Sequence, residues 1–470
     1  MEFILPFICI LLLGSFAILG LINPFMALVL FIILLPFTNA SLIIHMGAFD
    51  LSFLYLMGAI LLGTWLVRKM FQFEKTVISL DKFHLAIGIL LLFMAISAIL
   101  SDQLGIGIKE CVKILFFCTM SLMTIILIDD HNKIETLLTL WFYSIVICVI
   151  GSLVLFLLDL PSAPHYELTY QGELSFEAVR LETEYEKWAS GAAFYALNMG
   201  FGNNPDKLAG LAVVGIILGI GLMQYQENYD AVKIFSIGIL IIGLLMTYTR
   251  SAYLALFVGL FYKLIISKSS DIRWKIIFVS LIGMFFLIIL FVGNFHERII
   301  ETFAMADASE YVRYYSWKVL LDEIISHPLF GIGPGLSIFI LAPGAAELGW
   351  TDTDVDKFAP HNALLTFWSD VGTLGFLVFL WLIFIAMRAD RRAAYDNNDR
   401  FHFLIESLKG AFLAWTVHVF FHPELTIWFW ILLGLCYVME HRQNTIAPRS
   451  AEAVVFGRNC CQGDMVPKTG

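Results

Sequence analysis

Three side chains in this sequence have the charge and the position that chemistry on an anionic group requires. Arg250 lies between two apolar runs, Arg313 lies near the start of a helical pattern, and His361 directly precedes another apolar run. A guanidinium stays protonated and can hold two oxygens of one phosphate or carboxylate, so both arginines are candidate anion-binding groups. His361 is a candidate general base, because an unperturbed imidazole titrates near pH 6.5, within about a unit of neutrality.

Each residue also has a structural interpretation that the sequence leaves open. Arg250 can place its charge among lipid headgroups, because an arginine costs far less at a membrane interface than at mid-bilayer. Arg313 can belong to a solvated helix face, and His361 can act as a cap or as a satisfied polar contact at a helix start. Glu182 and Glu184, in an acidic segment, are rival candidates for the base.

The composition predicts that a membrane protein positions these groups. Of the 470 residues, 59% are hydrophobic and 14% are charged, and the mean hydropathy is +0.83. Soluble domains carry about 25% charged residues. A net charge of −10 and the lack of a basic patch with interleaved aromatic residues exclude a nucleic-acid-binding protein.

We predict an all-α, polytopic integral membrane protein with about 12 to 13 transmembrane helices, because apolar runs of membrane-spanning length recur along the chain. The first two runs are short and are joined by Asn23 and Pro24, so they form either a hairpin or a single crossing. The candidate spans are 3–21, 24–37, 51–67, 84–101, 111–129, 135–158, 207–225, 232–249, 251–267, 275–293, 363–387, 405–422 and 425–440.

Lysine and arginine residues predict the orientation of these spans. They cluster in three short loops and after the last span, all on one side, which is therefore expected to be cytoplasmic. The expected location is a bacterial inner membrane, with the functional site facing the periplasm. The expected divisions are transmembrane helices at 1–158, an acidic periplasmic loop at 159–206, transmembrane helices at 207–293, a large periplasmic loop at 294–362, transmembrane helices at 363–440 and a cytoplasmic tail at 441–470.

Both long loops are expected to contain short helices. Residues 174–197 are a candidate amphipathic helix in the acidic loop. In the second loop, apolar residues recur every three or four positions over 309–326, which predicts a helix that ends before Pro328. The glycine-rich run from Gly331 to Gly335 predicts a turn and not a dinucleotide-binding loop, because no strand precedes it.

Five segments, taken in order, resemble the motifs of the O-antigen ligase and O-antigen polymerase superfamily. The resemblance covers roughly residues 200–385, and the residues around Asn204, before an apolar helix, are similar to an entry segment of that superfamily. Asp370 departs from the superfamily's pattern, in which a glutamate is expected more often at this position. The five segments are Tyr248–Leu254, Arg313 with Trp317, His327–Gly335, Pro360–Leu365, and Asp370 with Gly372 and Gly375.

The resemblance implies a membrane-embedded glycosyltransferase. Such enzymes take a glycan from an undecaprenyl-diphosphate carrier and pass it to a glycan or lipid acceptor at the periplasmic face, without a metal or other cofactor. The implied partners are this donor, the acceptor, membrane lipids and other polysaccharide-assembly proteins. Ligase and polymerase activities remain alternatives.

The resemblance also implies roles for individual residues. Arg250 and Arg313 would bind the diphosphate, and His361 would be the catalytic base. Two neighbouring arginines would lower the pKa of His361 and so keep its ring neutral. Supporting roles are implied for four further residues: Asn204, Trp317, Asn362 and Asp370.

A multi-helix transporter or flippase for a small anion or a lipid-linked glycan is the alternative function. Glu406 and Lys409 fall inside a predicted span, where they could line a pathway. Substrate uptake that depends on Lys409 but not on His361 would favour transport.

Overall fold

The computed structural model describes residues 4–40, 42–46, 49–72, 81–158, 165–168, 174–177, 205–226, 230–247, 249–266, 308–337, 340–341, 360–388, 400–422 and 425–439. Within these ranges the chain forms thirteen α-helices and four short strands. In chain order they are α1 (Ile4–Ile22), α2 (Pro24–Leu34), β1 (Leu42–Met46), β2 (Phe49–Ser52), α3 (Phe53–Gln72), α4 (Lys82–Leu100), α5 (Leu104–Leu127), α6 (His131–Leu157), β3 (His165–Leu168), β4 (Leu174–Glu177), α7 (Pro205–Gln226), α8 (Ala231–Met246), α9 (Arg250–Ile266), α10 (Ala308–Ser326), α11 (Ala363–Met387), α12 (Phe401–Val419) and α13 (Ile427–Met439). A short 3₁₀ helix, Leu35–Ala40, extends α2.

The helical membrane architecture predicted from composition is confirmed. In the described part of the chain, six helices are long and apolar enough to cross a membrane: α3, α4, α5, α6, α7 and α11. Shorter apolar helices include α8 and α13. Every predicted span except 275–293 coincides with a described helix, and 275–293 lies outside the described residues.

Polar residues at the helix starts explain where several of these helices begin. A side-chain oxygen just before the helix accepts a hydrogen bond from a first-turn amide, which would otherwise have no partner. Asn23, Asp81, Asp130, Asp230 and Asn362 cap α2, α4, α6, α8 and α11 in this way. These caps lie directly before apolar runs, so the local sequence determines where each of these helices begins.

A small sheet is an addition that the sequence patterns did not predict. Its strand order is β2-β1-β3-β4, with β1 parallel to β3 and the other neighbours antiparallel. The helix predicted over 174–197 is therefore wrong at its start, because residues 174–177 form β4. Leu174, Ser175, Phe176 and Glu177 alternate apolar and polar types, which is the pattern of a strand. Residues 178–197 lie outside the described residues.

Helix α7 lies at the centre of the bundle. All of its residues from Leu208 to Gln224 are buried, and it packs against α6, α8, α9 and α12. Small residues allow the close approach that helices use inside a membrane. At Gly221, a Cβ atom would lie 2.2 Å from the Oγ of Ser407 on α12.

Polar side-chain contacts occur at both ends of α7 and so identify the two ends of the bundle. At one end, Asp206 at the start of α7 bonds to Thr249, just before α9. At the other end, Gln226, the last residue of α7, bonds to Glu135 on α6 and to Lys233 on α8. Helices α7, α8 and α9 therefore alternate in direction.

A loop after α10 docks onto an interruption in α11. Gly372, inside α11, has a φ of +70°, and the helix is kinked there. The amides of Ile332 and Gly333 donate to the carbonyls of Ser369 and Asp370, at 3.0 and 3.1 Å. The amide of Thr373 donates in return to the Pro328 carbonyl at 2.9 Å. The loop therefore supplies partners for backbone groups that the interrupted helix leaves unpaired.

The Asp370 carboxylate also holds this loop, through hydrogen bonds to its backbone amides. It is 6% exposed and accepts hydrogen bonds from the amides of Gly335, at 2.9 Å, and Ser337, at 3.3 Å. The predicted glycine turn is confirmed, with positive φ angles of 74°, 118° and 78° at Gly331, Gly333 and Gly335. Asp370 thus holds the loop that leads out of α10.

We expect Gly372→Ala to destabilise the protein strongly. A Cβ at Gly372 would lie 2.4 Å from the Leu329 carbonyl oxygen, and the backbone there has a conformation that only glycine adopts readily. The strain alone should cost about 1–3 kcal/mol. The thermal unfolding midpoint of the purified protein in detergent measures the effect.

Gly88→Ala is the matched control for this variant. Gly88 lies inside α4, and nothing lies within 4 Å of its Cβ position. Alanine should be neutral or slightly stabilising there, because it favours helix by about 1 kcal/mol. Equal unfolding midpoints for the two variants would contradict the docking of the loop onto Gly372.

Candidate functional site

Ends of several helices bring the predicted base and one predicted arginine together. His361 lies two residues before α11, and Arg313 lies in the second turn of α10. They are close enough for the charge of Arg313 to act on the imidazole, as do the charges of Asp206 and His422. Segments far apart in sequence therefore form one polar site at the Asp206 end of the bundle.

The backbone of His361 has an unusual conformation. Its φ is +46°, in the left-handed region that residues with a side chain seldom adopt. Such strain persists only where the surroundings hold it, and it is concentrated at functional sites. The residues on both sides are fixed, since the Pro360 carbonyl accepts a bond from Trp317 and Asn362 caps α11.

Burial and charge determine the protonation of His361. Burial is the largest cause that lowers its pKa to about 4, and the charges of Arg313 and His422 lower it further. The carboxylate of Asp206 opposes them by raising this pKa. The ring is therefore neutral at physiological pH and is able to accept a proton.

Trp317 links the helix that carries Arg313 to the segment that carries His361. Its Nε1–H donates to the Pro360 carbonyl at 3.0 Å, and its ring meets Phe420 edge-on with centroids 5.9 Å apart. Trp317 lies four residues after Arg313, so the two share one face of α10. The bond joins the helix of the candidate cation to the segment of the candidate base.

Arg250 begins α9 at the same end of the bundle. Its side chain is exposed, whereas Thr249 beside it is buried. The Thr249 hydroxyl donates to the Asp206 carboxylate at 3.0 Å, and Ser251 is 3.2 Å from Nδ1 of His418. Arg250 thus projects from a turn whose two flanking residues are both anchored.

Besides Trp317, the predicted supporting residues are Asn362, Asp370 and Asn204, and each has a different setting. Asn362 is fully buried, and its Oδ1 caps α11, while its Nδ2 has no hydrogen-bond partner in the described part of the chain. Asp370 bonds to the glycine turn and so supports the fold around the site. Asn204 lies outside the described residues, directly before the first residue of α7.

Three residues of the site were missed by the sequence analysis: Asp206, His418 and His422. His418 is 2% exposed, and its ring centroid lies 4.3 Å from that of His422. The two histidines are four residues apart at the end of α12, and Asp206 lies in the first turn of α7. The sequence did offer one sign of these residues, because they are titratable and lie at helix ends on the same predicted side of the membrane as both arginines.

Buried charges at the opposite end bear on the transport alternative. The Lys409 ammonium donates to the carbonyl of Met387, the last residue of α11, at 3.3 Å. A cation at the end of a helix stabilises the unpaired carbonyls there. Lys263 is fully buried and bonds to the Ser407 hydroxyl. These contacts give the buried lysines a structural role where helices meet.

The rival bases Glu182 and Glu184 lie outside the described residues. Within the described ranges, no group of three or more histidine, cysteine, aspartate or glutamate side chains is arranged to hold a metal ion.

Comparison with known families agrees with the motifs. Residues 235–380 match the family model described as O-antigen ligase. The matched segment contains Arg250, Arg313, His361 and Asp370, while Asp206, His418 and His422 lie outside it. The resemblance inferred from the sequence is confirmed over this segment. No curated protein matches the chain.

We expect Trp317→Phe to loosen the segment around His361 without unfolding the protein. Phenylalanine keeps an aromatic ring against Phe420 but removes the bond to the Pro360 carbonyl, at a cost of about 1 kcal/mol. Hydrogen–deuterium exchange at residues 360–362 should become faster, because one of their anchors is lost.

Trp368→Phe is the matched control. It also removes an indole N–H bond, to the Thr373 hydroxyl at 3.1 Å, but that bond stays within α11. Exchange at residues 360–362 should be unchanged in this variant. Equal exchange at residues 360–362 in both variants would show that Trp317 does not anchor them.

Proposed function

We propose that this chain, which carries an O-antigen ligase domain at residues 235–380, is a membrane glycosyltransferase that moves a glycan from an undecaprenyl-diphosphate carrier to an acceptor hydroxyl. The observation that carries the proposal is the Trp317–Pro360 bond, which joins the helix of Arg313 to the segment of the half-buried, neutral His361, on whose imidazole the charge of Arg313 acts. A fixed cation and a neutral base are the two groups that displacement of a lipid diphosphate requires.

In the proposed reaction, the acceptor oxygen attacks the anomeric carbon of the donor glycan. The new C–O bond forms as the bond from that carbon to the diphosphate oxygen breaks, and the bonding electrons leave with the diphosphate. His361 takes the proton of the acceptor hydroxyl. The imidazolium then returns that proton to solvent, so the base is regenerated.

The arginines stabilise the leaving group. Negative charge builds up on the diphosphate as the bond breaks, and cations already in place stabilise it without reorganisation. Arg313 supplies one such cation beside His361, and Arg250 supplies the second from the start of α9. Each charge-assisted hydrogen bond contributes about 1.5–3 kcal/mol.

The site is proposed to face the periplasm of a bacterial inner membrane. The distribution of lysine and arginine over the loops supports this orientation. The partners are the lipid-linked donor, a glycan or lipid acceptor, the surrounding lipids and other polysaccharide-assembly proteins. The reaction as proposed uses no metal or other cofactor.

We expect His361→Asn to lower the rate of glycan transfer by about 10²- to 10⁴-fold, the usual contribution of a general base. Asparagine suits this test better than alanine, because it tolerates the left-handed backbone that His361 adopts. The initial rate of transfer from lipid-linked glycan in membranes that contain each variant measures the effect.

His402→Asn is the control, since His402 lies in the first turn of α12, at the opposite end from His418. This variant should transfer glycan at the rate of the unchanged protein. The amount of inserted protein shows whether each variant folds. Unchanged transfer by inserted His361→Asn protein would rule out His361 as the base.

The pH dependence offers an independent test of the base. Protonated His361 cannot accept a proton, so activity is lost as the pH falls through its pKa, which is about 4 in the free protein. We expect kcat/KM to stay within about twofold between pH 7.5 and pH 5, whereas a base with an ordinary histidine pKa would lose about 30-fold. Such a 30-fold loss would contradict a buried base beside Arg313.

Bound donor should change this profile in a defined direction. The diphosphate brings negative charge to Arg313, which opposes the lowering of the His361 pKa. The value of kcat reports the pKa in the complex, and kcat/KM reports that of the free protein. The acidic limb of kcat should therefore lie at higher pH than the acidic limb of kcat/KM.

A further inference from the structure

The residues on either side of Arg250 are both linked to Asp206 on α7, Thr249 directly and Ser251 through His418 on α12. Before Arg250, the hydroxyl of Thr249 donates to the carboxylate of Asp206 at 3.0 Å. After it, Ser251 contacts Nδ1 of His418 at 3.2 Å, and Nε2 of His418 lies 2.9 Å from the Asp206 carbonyl oxygen. Asp206 therefore anchors the turn twice, once through its side chain and once through its backbone.

The hydrogen-bond chemistry fixes the direction of this network. A carbonyl oxygen only accepts, so Nε2 of His418 must carry the hydrogen that is donated to Asp206. In the neutral ring Nδ1 is then an acceptor, and the Ser251 hydroxyl donates to it. Neutral His418 thus satisfies both neighbours at once.

Thr249 and His418 are the buried members of this network, Asp206 and Ser251 are half-buried, and Arg250 is exposed. Thr249 is 6% exposed and His418 is 2% exposed, whereas the Arg250 side chain lies at the surface. Buried hydrogen bonds are costly to break, because their groups find no water as an alternative partner. The backbone at Arg250 is therefore held in place on both sides, while the residue itself lies at the surface.

We propose that Asp206 and His418 are positioning residues that hold the turn carrying Arg250 in place for the diphosphate of the lipid-linked donor. The inference rests on the proposed function, because it assigns the purpose of the network to the diphosphate. Asp206 and His418 lie outside the segment that matches the O-antigen ligase family model, so the match assigns them no role.

Binding of undecaprenyl diphosphate to the full-length purified protein tests the proposal. Two variants break the network without touching Arg250: Ser251→Ala and His418→Leu. Asp206 itself is not substituted, because its charge also acts on His361. Each variant should weaken binding about 5- to 10-fold, within the range of coupling between contacting residues.

Combination with arginine variants separates positioning from general damage. In an Arg250→Lys background, Ser251→Ala and His418→Leu should change binding less than about twofold, because the planar group that they position is already gone. In an Arg313→Lys background, both should keep their full 5- to 10-fold effect. A merely structural role would give the same loss in all backgrounds.

Two further variants act as controls. His418→Gln keeps an N–H donor that can reach the Asp206 carbonyl, so it should restore part of the binding lost in His418→Leu. Ser144→Ala removes a buried serine bond of similar kind, at 2.6 Å to the Ile33 carbonyl, far from this turn in the fold. It should bind undecaprenyl diphosphate as the unchanged protein does.

The outcomes distinguish this inference from the proposed function. If Arg250→Lys weakens binding but Ser251→Ala and His418→Leu do not, the positioning role is wrong and the diphosphate role of Arg250 stands. Equal losses in all backgrounds also overturn the positioning role. If Arg250→Lys leaves binding unchanged, the diphosphate role of Arg250 fails, and the inference fails with it. Ser251→Ala removes a single oxygen atom, so it keeps the test valid if His418→Leu does not fold.

Discussion

The docking of the 328–337 loop onto the interrupted helix α11 is the interaction on which the rest of the site depends. In a membrane, each backbone polar group must find its partner within the protein, so a helix can be interrupted only where another segment supplies donors and acceptors. Here the loop after α10 supplies them, and the Asp370 carboxylate holds that loop in turn. The arrangement joins α10, which carries Arg313, to α11, which begins just after His361. Backbone hydrogen bonds and the Trp317 bond thus hold the segments that carry the candidate cation and the candidate base against each other.

The electrostatics of the site follow from this rigid frame. His361 is half-buried and feels the positive charge of Arg313, and both effects favour its neutral form. Asp206 opposes them from α7, and the same residue anchors the turn that carries Arg250. One carboxylate therefore influences the candidate base and one candidate diphosphate-binding group. Charges from the start of α7, from α10 and from just after α12 thus act together on His361.

Local sequence patterns were sufficient to predict much of the fold. The periodicity of α10 and the proline after it predicted its bounds to within a residue, and the glycine run predicted the turn. Strand β4 was missed because four alternating residues are a weak signal within a longer segment that reads as an amphipathic helix. Its pairing with β3, and that of β3 with β1, depends on segments far apart in the chain.

The candidate site was predicted only in part, for a similar reason. Arg250, Arg313 and His361 stand out because each occurs in a distinctive local motif. Asp206 and His418 are 212 residues apart, and nothing near either one indicates that a hydrogen bond joins them. The role of Asp370 also could not be predicted from the sequence, because its carboxylate accepts hydrogen bonds from backbone amides of a loop more than thirty residues earlier. Residue types showed which groups can do chemistry, and the fold decided which groups meet.

The enclosed position of α7 has a consequence for biogenesis. Three of the helices that surround it, α8, α9 and α12, are synthesised after it, so α7 must first enter the bilayer with much of its surface against lipid. Its glycine-lined faces offer few contacts until those later helices arrive and pack against them. Asp206 at its start likewise acquires its partners on Thr249 and His418 only then. The end of the protein that carries the candidate site is therefore completed late, when the C-terminal helices close around a helix that was inserted much earlier.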